Sequence, residues 1–241
     1  MALALVAGCS DAGVLGPEPV REARRPVAED GGLRVPAPSA LAFGVPAAPA
    51  GCLSEGTAFG DWQVRYHGYG CVAVEASAGS DAGSTLFMAP TEAMRAEETH
   101  APLVLGPVHG DQFLLRTSLE TVQHTRRADA PNPWEVGWVV WQYQDDAHFY
   151  YFIPKPNGWE LGKRDPAYPG GQRFLATGNR QVFPIGQVHH VTVRQIGSIM
   201  TVTVNGEPIV QFRDDERPYR SGRFALYAED AAIRVHRVAA L

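Results

Sequence analysis

The stretch WVVWQYQDDAHFYYFIPKPNGWELGK, residues 138–163, decides the fold class of this protein. It contains short runs of β-branched and aromatic residues, and a tight-turn signal, Asp145-Asp146, separates the first two of them. Runs of this kind bounded by turn residues are typical of antiparallel strands. The stretch therefore predicts consecutive β-strands joined by short turns.

The same pattern continues through most of the chain, where about fourteen such runs follow one another between residues 62 and 238. Gly197-Ser198 and Asn205-Gly206 are further hairpin signals, the second being the strongest because both residues tolerate positive φ. One segment, TEAMRAEE at residues 91–98, is predicted to be helical. Many short strands without a fixed-period repeat predict an all-β, two-sheet antiparallel sandwich over residues 52–241.

Bulk composition excludes some classes of partner. The 241 residues carry a formal net charge of -5 with a pI of about 5.9, and a nucleic-acid-binding protein would be expected to show a basic patch. No apolar run reaches the ~20 residues that a membrane-spanning helix requires. We therefore predict no nucleic-acid partner and a monomer that meets the membrane only through an N-terminal anchor.

The N-terminal segment predicts that anchor. Residues 1–9, MALALVAGC, form a short apolar run without Lys or Arg that ends in small residues. It is interpreted as the remnant of a signal peptide. Val6-Ala7-Gly8-Cys9 resembles the bacterial lipobox, in which the cysteine is acylated, so Cys9 is the predicted lipidation site. The alternative is a disordered tail with a free thiol.

Residues 10–51 predict a flexible, partly extended linker, because Pro, Ala and Gly dominate and no apolar period persists. These features together predict an extracellular or cell-envelope location, with the protein a lipoprotein if Cys9 is acylated. Two cysteines then remain in the domain, Cys52 and Cys71, and cysteines of exported domains usually pair. We expect a disulfide between them, with two buried thiols as the alternative.

Three stretches together resemble a known superfamily. VVWQYQDDAHFYYFIPKPNGWELGK, FPIGQVHHVTVRQIGSIMTVTVNGEPIVQFRDD and YRSGRFALYAEDAAIRVHRVAAL are similar to strand pairs of the concanavalin A-like jelly roll. Within that superfamily they look like the family 16-like, or 3-keto-disaccharide hydrolase-like, domains. The resemblance spans most of residues 57–241 and implies two antiparallel sheets, with the concave one usually carrying a glycan groove.

The resemblance implies a fold more strongly than a function, since one fold hosts many functions. The preferred hypothesis is an extracytoplasmic domain that binds or processes a polysaccharide or oligosaccharide in a groove. One alternative is a polysaccharide lyase or glycoside hydrolase. A third is a structural envelope protein that binds other proteins. Whether the protein is an enzyme stays open.

Strand alternation selects the candidate ligand-binding residues. It places Trp138, Gln142 and Gln144 on one face, where a ring beside amides suits a sugar. For each aromatic residue the alternative is a place in the core. The full predicted ligand-binding set is Trp138, Gln142, Gln144, His148, Tyr150, Trp159 and Lys163.

The sequence supports a catalytic site less well than a ligand-binding site. The Glu-x-Asp-x-x-Glu strand of family 16 glycosidases is absent, and FRDDERPY at residues 212–219 is interpreted as a strand end followed by a solvated loop. The strand FLLRTSLETVQHTRR is predicted to carry Arg116, Glu120, His124 and Arg126 on one face, either lining a groove or facing solvent. The candidate catalytic set is Arg116, His124, Gln142, Tyr150 and Lys163.

No metal site and no cofactor are predicted, because metal-ligand spacings such as His-x-His and Cys-x-x-Cys do not occur. Jelly rolls of this kind often hold a structural Ca²⁺, so this ion is the one to consider. Its candidate ligands are Asp61, Asp81, Glu229 and Asp230.

Overall fold

A computed structural model describes residues 39–43, 51–76 and 84–241. Cys9 and Asp81 lie outside these ranges, so the expectations placed on them stay predictions. The described residues form sixteen β-strands and one short 3-10 turn, Pro169–Gly171. The strands are β1 Ser39–Ala40, β2 Ala58–Phe59, β3 Trp62–His67, β4 Cys71–Ala76, β5 Ser84–Ala89, β6 Pro102–His109, β7 Gln112–His124, β8 Gly137–Asp145, β9 His148–Lys155, β10 Gly158–Arg164, β11 Gln172–Gly178, β12 Val188–Ile196, β13 Ile199–Val204, β14 Glu207–Arg213, β15 Gly222–Ala228 and β16 Ala231–Ala240.

The strands form two antiparallel sheets. Sheet I has the order β14-β13-β12-β7-β16-β5-β4, and β1 pairs with the C-terminal end of β16. Sheet II has the order β11-β10-β9-β8-β15-β6-β3-β2. Two tight hairpins that the sequence predicted, β12–β13 at Gly197 and β13–β14 at Asn205-Gly206, are present, and all three residues have positive φ.

The core lies between the two sheets. Leu119, Val193 and Ile233 of sheet I and Trp141 and Leu161 of sheet II belong to one cluster of fully buried side chains. We call the face of each sheet that contributes to this cluster its inner face, and the opposite one its outer face. The predicted all-β, two-sheet antiparallel sandwich is confirmed.

The N-terminal edge of the domain begins earlier than the sequence predicted. Residues 39–43 were assigned to the linker, yet Leu41 N donates to Val238 O at 2.9 Å and Phe43 is buried in the core. Burial of the Phe43 ring against Trp62, with 5.5 Å between ring centroids, explains why these residues are ordered. The Cys52–Cys71 disulfide is present and ties the segment before β2 to β4, an edge strand of sheet I.

The predicted helix at residues 91–98 is wrong. Ala93 instead forms a bridge with Arg126, and its N–H donates to Thr125 O at 3.2 Å. The Glu98 carboxylate accepts the N–H groups of Met94 and Arg95. A helix of two turns is marginal by itself, and these alternative partners stabilise turns in its place. No helix in the described ranges has the length and apolarity to cross a bilayer.

Candidate functional site

Sheet II is apolar on both faces. On its outer face a second cluster of buried side chains, which we call the outer cluster, is separate from the inter-sheet core. Tyr66, Ala101 and Trp134 pack against this cluster, so most of it is covered by the protein itself. Its members are Leu103, Leu105, Val136, Trp138, Val140, Tyr143, Phe149, Tyr151, Ile153, Ala225 and Tyr227.

Trp138 lies on the outer face, as alternation predicted. Its ring packs against Tyr151 and Tyr227, with centroid distances of 5.0 and 4.9 Å, and its Nε1 donates to Trp134 O. The side chain is only 5% exposed. Trp138 therefore forms part of the floor of this face and leaves little ring surface for a ligand.

The prediction that Gln142 shares the face of Trp138 is wrong, because β8 is irregular at this residue. Gln142 has a φ of 52°, and the register with β9 shifts between Trp141 and Asp145. Its side-chain Nε2 turns to Gly110 O at 2.9 Å, and the residue is fully buried. The irregularity reverses the alternation, so Tyr143 joins the outer cluster instead.

An accessible aromatic ring lies at the edge of the same face. Phe174 of β11 pairs with Gly162 of β10, which pairs with Tyr151 of β9. A Cβ on Gly162 would lie 2.0 Å from the Tyr151 hydroxyl, so this glycine faces outward and leaves room for that phenol. Phe174, its cross-strand partner, has the same orientation, and its side chain is 62% exposed.

A cluster of hydrogen-bonded polar groups lies on the same face as this ring. The Tyr151 hydroxyl donates to Glu160 Oε1 at 2.9 Å, and Lys155 Nζ donates to Glu160 Oε2 at 3.1 Å. Gln172 Nε2 donates to the Tyr151 hydroxyl oxygen. Burial and the neighbouring Glu160 carboxylate raise the pKa of Tyr151 well above its usual value, so the phenol stays a donor. We call these residues, namely Tyr151, Lys155, Glu160, Gly162, Gln172 and Phe174, the notch.

The notch combines an exposed aromatic ring with hydrogen-bonding groups. An exposed ring offers a surface for sugar C–H groups, while an amide, a carboxylate and an ammonium can bind hydroxyls. The Gln172 side-chain oxygen has no hydrogen-bond partner among the residues that the structure describes, and it is free to accept one. Strand pairing fixes the spacing of these groups, because Gln172 and Phe174 are two residues apart on one face of β11.

Tyr150 and Lys163 do come together, but in the interior. Lys163 Nζ is fully buried and donates to Asp214 Oδ2 at 2.9 Å and to the carbonyl oxygens of Glu216 and Arg217. Tyr150 donates to the same carboxylate oxygen at 2.5 Å. The interpretation of residues 212–219 as solvated is therefore wrong at Asp214, because the interior Lys163 holds it inside. All three N–H donors of Lys163 are used, which indicates a structural role for this residue.

The other predicted ligand-binding residues do not reach the outer face. Trp159 is buried in the inter-sheet cluster, where its ring stacks on Phe152 at 6.4 Å. Gln144 is exposed at the end of β8 and donates to Ser221 O, while His148 Nδ1 lies 2.8 Å from Asp145 Oδ1 in the adjoining turn. Of the seven predicted residues, the structure places only Trp138 in the outer cluster.

The five candidate catalytic residues do not converge. Arg116 is exposed on the outer face of sheet I, and His124 lies at the end of the same strand. Gln142, Tyr150 and Lys163 belong to sheet II. Arg126, which the sequence grouped with Arg116, is buried between Glu135 at 2.6 Å and Asp230 at 2.7 Å.

The carboxylates considered for Ca²⁺ are engaged by other groups. Asp230 pairs with Arg126, Glu229 accepts the Tyr227 hydroxyl at 2.8 Å, and Asp61 accepts the Ala42 N–H at 2.9 Å. Within residues 39–43, 51–76 and 84–241, three or more His, Cys, Asp or Glu side chains do not gather in a metal-binding arrangement. The guanidinium of Arg126 supplies the positive charge beside Asp230 and Glu135.

Sequence reasoning missed Gln172, Phe174 and Glu160. The run QRFLA, residues 172–176, was predicted as a strand, and its alternation already separates Gln172 and Phe174 from Leu175. What the sequence could not provide is the pairing of β11 with Gly162, because register between strands depends on contacts that a single strand does not encode.

Comparisons with known proteins identify the fold. No family model matches the sequence, and no curated protein matches it. A carbohydrate binding module, CBM66 from Bacillus subtilis, matches with a TM-score of 0.52 at 11% identity, over 75% of this chain and 94% of that one. A mixed-linkage glucan GH16 protein of Bacteroides ovatus, in complex with a G4G4G3G product, matches with a TM-score of 0.50 at 8% identity, over 79% and 97%. These likenesses support the predicted jelly-roll fold, and membership of the concanavalin A-like superfamily stays a prediction.

Proposed function

We propose that this protein binds a carbohydrate at the notch on the outer face of sheet II. The observation that carries the proposal is the 62% exposure of Phe174, which lies on the same face of β11 as Gln172 and opposite Gly162 of β10. An exposed ring on an ordered strand offers an apolar surface on which a sugar can stack. A sugar covers the ring and uses the surrounding polar groups at the same time.

The polar groups give the site its selectivity. Lys155 donates to Glu160 and retains further N–H groups, so it can donate to a sugar hydroxyl. Gln172 presents a carbonyl oxygen that can accept one. The outer cluster beneath, with Trp138 against Tyr151, keeps the phenol and the carboxylate in place. Such preorganisation limits the entropy lost on binding.

The fold neighbours and the disulfide support this proposal. One neighbour is named a carbohydrate binding module, and another is bound to a glucan product. The Cys52–Cys71 disulfide suits an oxidising compartment. We therefore propose an extracellular or cell-envelope protein that engages a polysaccharide or oligosaccharide, with Cys9 as the predicted lipid anchor.

Binding without bond cleavage is the function that the geometry favours. The Glu160 carboxylate is bonded to both Lys155 and Tyr151, which holds it as an acceptor and leaves it poorly placed to transfer protons. The lyase or hydrolase alternative stays a prediction, as does the structural envelope protein. No observation in the described residues favours either over a binding module.

Affinity electrophoresis in a panel of soluble neutral and acidic polysaccharides tests the proposal. Retardation of the wild-type protein by at least one polysaccharide, and its loss in Phe174→Ala, is the expected result. Reducing-end and unsaturated-product assays on the same polysaccharides separate binding from cleavage. Retardation that is unchanged in Phe174→Ala would place the site elsewhere.

A further inference from the structure

A polar depression lies on the outer face of sheet I, on the opposite side of the sandwich from the notch. Its volume is about 310 Å³. Outward residues of three neighbouring strands, β12, β7 and β16, supply its polar side chains, and none of them belongs to the carbohydrate site. The lining residues are Arg116, Thr117, Ser118, His190, Val191, Thr192, Arg237 and Ala239.

Strand register fixes the arrangement of these side chains. Ser118 of β7 lies between His190 of β12 and Arg237 of β16. Arg116, two residues earlier on the same face, lies between Thr192 and Ala239. The small residues Ser118 and Ala239 leave an opening. Arg116 of β7 and Arg237 of β16 lie on either side of it, as diagonal neighbours on adjacent strands. Diagonal neighbours of this kind are within reach of one ligand when their side chains are long.

An irregularity in β16 directs Arg237 into this arrangement. Ile233 and Val235 point into the core, so strict alternation would send Arg237 inward as well. The register with β7 shifts between Val235 and Arg237, which turns Arg237 outward and buries Val238 at 2% exposure. Such bulges often re-aim a side chain beside a functional site.

The two arginines carry uncompensated charge. Neither Arg116 nor Arg237 has an ion pair or a hydrogen bond to any residue in the described part of the chain. Glu120, the next outward residue of β7, is engaged by His236 at 3.2 Å. Ser118 Oγ lies 2.9 Å from His190 Nδ1, so the hydroxyl is held in position at the centre of the depression. Two free guanidiniums in a protein of net charge -5 therefore mark a local anion site.

We propose that this depression binds a tetrahedral oxyanion, phosphate or sulfate, carried by a small organic molecule. Guanidinium groups match the oxygen geometry of such anions through two parallel N–H donors, and the Thr192 hydroxyl adds a neutral donor. The volume lies at the lower end of the range of small-molecule sites, which leaves space for an organic group beside the anion. The proposal is independent of carbohydrate binding at the notch, because the two sites use different sheets.

Isothermal titration of the full chain with inorganic phosphate, sulfate and glucose 6-phosphate, at fixed low ionic strength, tests the site. We expect saturable binding that Arg116→Ala and Arg237→Ala each weaken about tenfold or more, since a hydrogen bond to a charged group contributes about 1.5–3 kcal/mol. Arg213→Ala is the matched control, because Arg213 is an exposed arginine on edge strand β14 of the same sheet. It should leave the affinity unchanged.

Charge-conserving variants separate a built site from general attraction. Arg116→Lys and Arg237→Lys keep the charge and lose the fork, so we expect them to remain weaker than the wild type. Tighter binding of glucose 6-phosphate than of phosphate would assign an ester ligand, and equal affinity would assign the free anion. Absence of saturable binding in the millimolar range, or equal weakening by Arg213→Ala, would overturn the proposal. Thermal unfolding confirms that each variant is folded.

Discussion

Trp138 and Trp141 lie three residues apart in β8 and belong to different hydrophobic layers. Trp141 packs in the inter-sheet core, where its ring is 5.9 Å from that of Tyr150, whereas Trp138 packs in the outer cluster 5.0 Å from Tyr151. Consecutive residues of a strand point to opposite faces, so β8 and β9 carry rings on both sides. This double use explains the density of aromatic residues in residues 138–163.

Trp138 and Phe174 should respond differently to truncation. Trp138→Ala removes a buried indole and leaves a cavity, so we expect a loss of about 3–5 kcal/mol in the free energy of unfolding. Phe174→Ala removes an exposed ring and should change stability by less than about 0.5 kcal/mol. Urea denaturation of both variants measures the difference. Equal losses would mean that Phe174 is part of the core.

Gly162 should be essential to the notch. A Cβ at this residue would lie 2.0 Å from the Tyr151 hydroxyl and 2.1 Å from its ring carbon, so Gly162→Ala must displace the phenol from Glu160. We expect a loss of about 1–3 kcal/mol in unfolding free energy, typical of overpacking, together with weaker carbohydrate retention. Gly110→Ala is the control, since its Cβ would meet nothing within 4 Å. A neutral Gly162→Ala would show that Tyr151 is free to move.

Glu229 should make stability depend on pH. Burial raises the pKa of Glu229 to about 8 from 4.5, so between these values the folded state binds one proton more than the unfolded state. The contribution of this group to the free energy of unfolding therefore falls, by up to about 1.4 kcal/mol per pH unit, as the pH rises through that window. Glu229→Gln removes this contribution.

Urea denaturation at several pH values within the window compares the wild type with Glu229→Gln. The variant should lose less stability toward alkaline pH, and Glu207→Gln, at an exposed residue of β14, should follow the wild type. Parallel curves for the wild type and Glu229→Gln would show that Glu229 titrates normally.

The disulfide should stabilise the domain substantially. Cys52 and Cys71 are 19 residues apart, and closing a loop of this length contributes about 3 kcal/mol through the unfolded chain. The double variant Cys52→Ser/Cys71→Ser should lose that amount relative to the oxidised wild type. Cys9→Ser should lose nothing, and reduction should bring the wild type to the level of the double variant. An unchanged midpoint after reduction would contradict the assignment.

The sequence predicted the fold but only part of the site, for physical reasons that particular residues illustrate. Alternation placed Trp138 outward correctly and failed at Gln142, because a φ of 52° at this residue turns Tyr143 to the outer face in its place. Asp214 looked solvated, since the Lys163 that holds it inside is 51 residues away in the chain. Phe174 was not predicted as a site residue, because its place beside Tyr151 depends on its pairing with Gly162 in the neighbouring strand.

The dissociation constant of a retained polysaccharide fragment, measured by isothermal titration for the wild type, Phe174→Ala and Tyr69→Ala, tests the central claim most directly. Tyr69 is an exposed aromatic residue, 57% exposed, in the turn between β3 and β4 and so outside the notch. Binding of the sugar against the Phe174 ring predicts that Phe174→Ala weakens affinity about tenfold or more, with Tyr69→Ala equal to the wild type. Equal affinity for all three proteins would contradict carbohydrate binding at the notch.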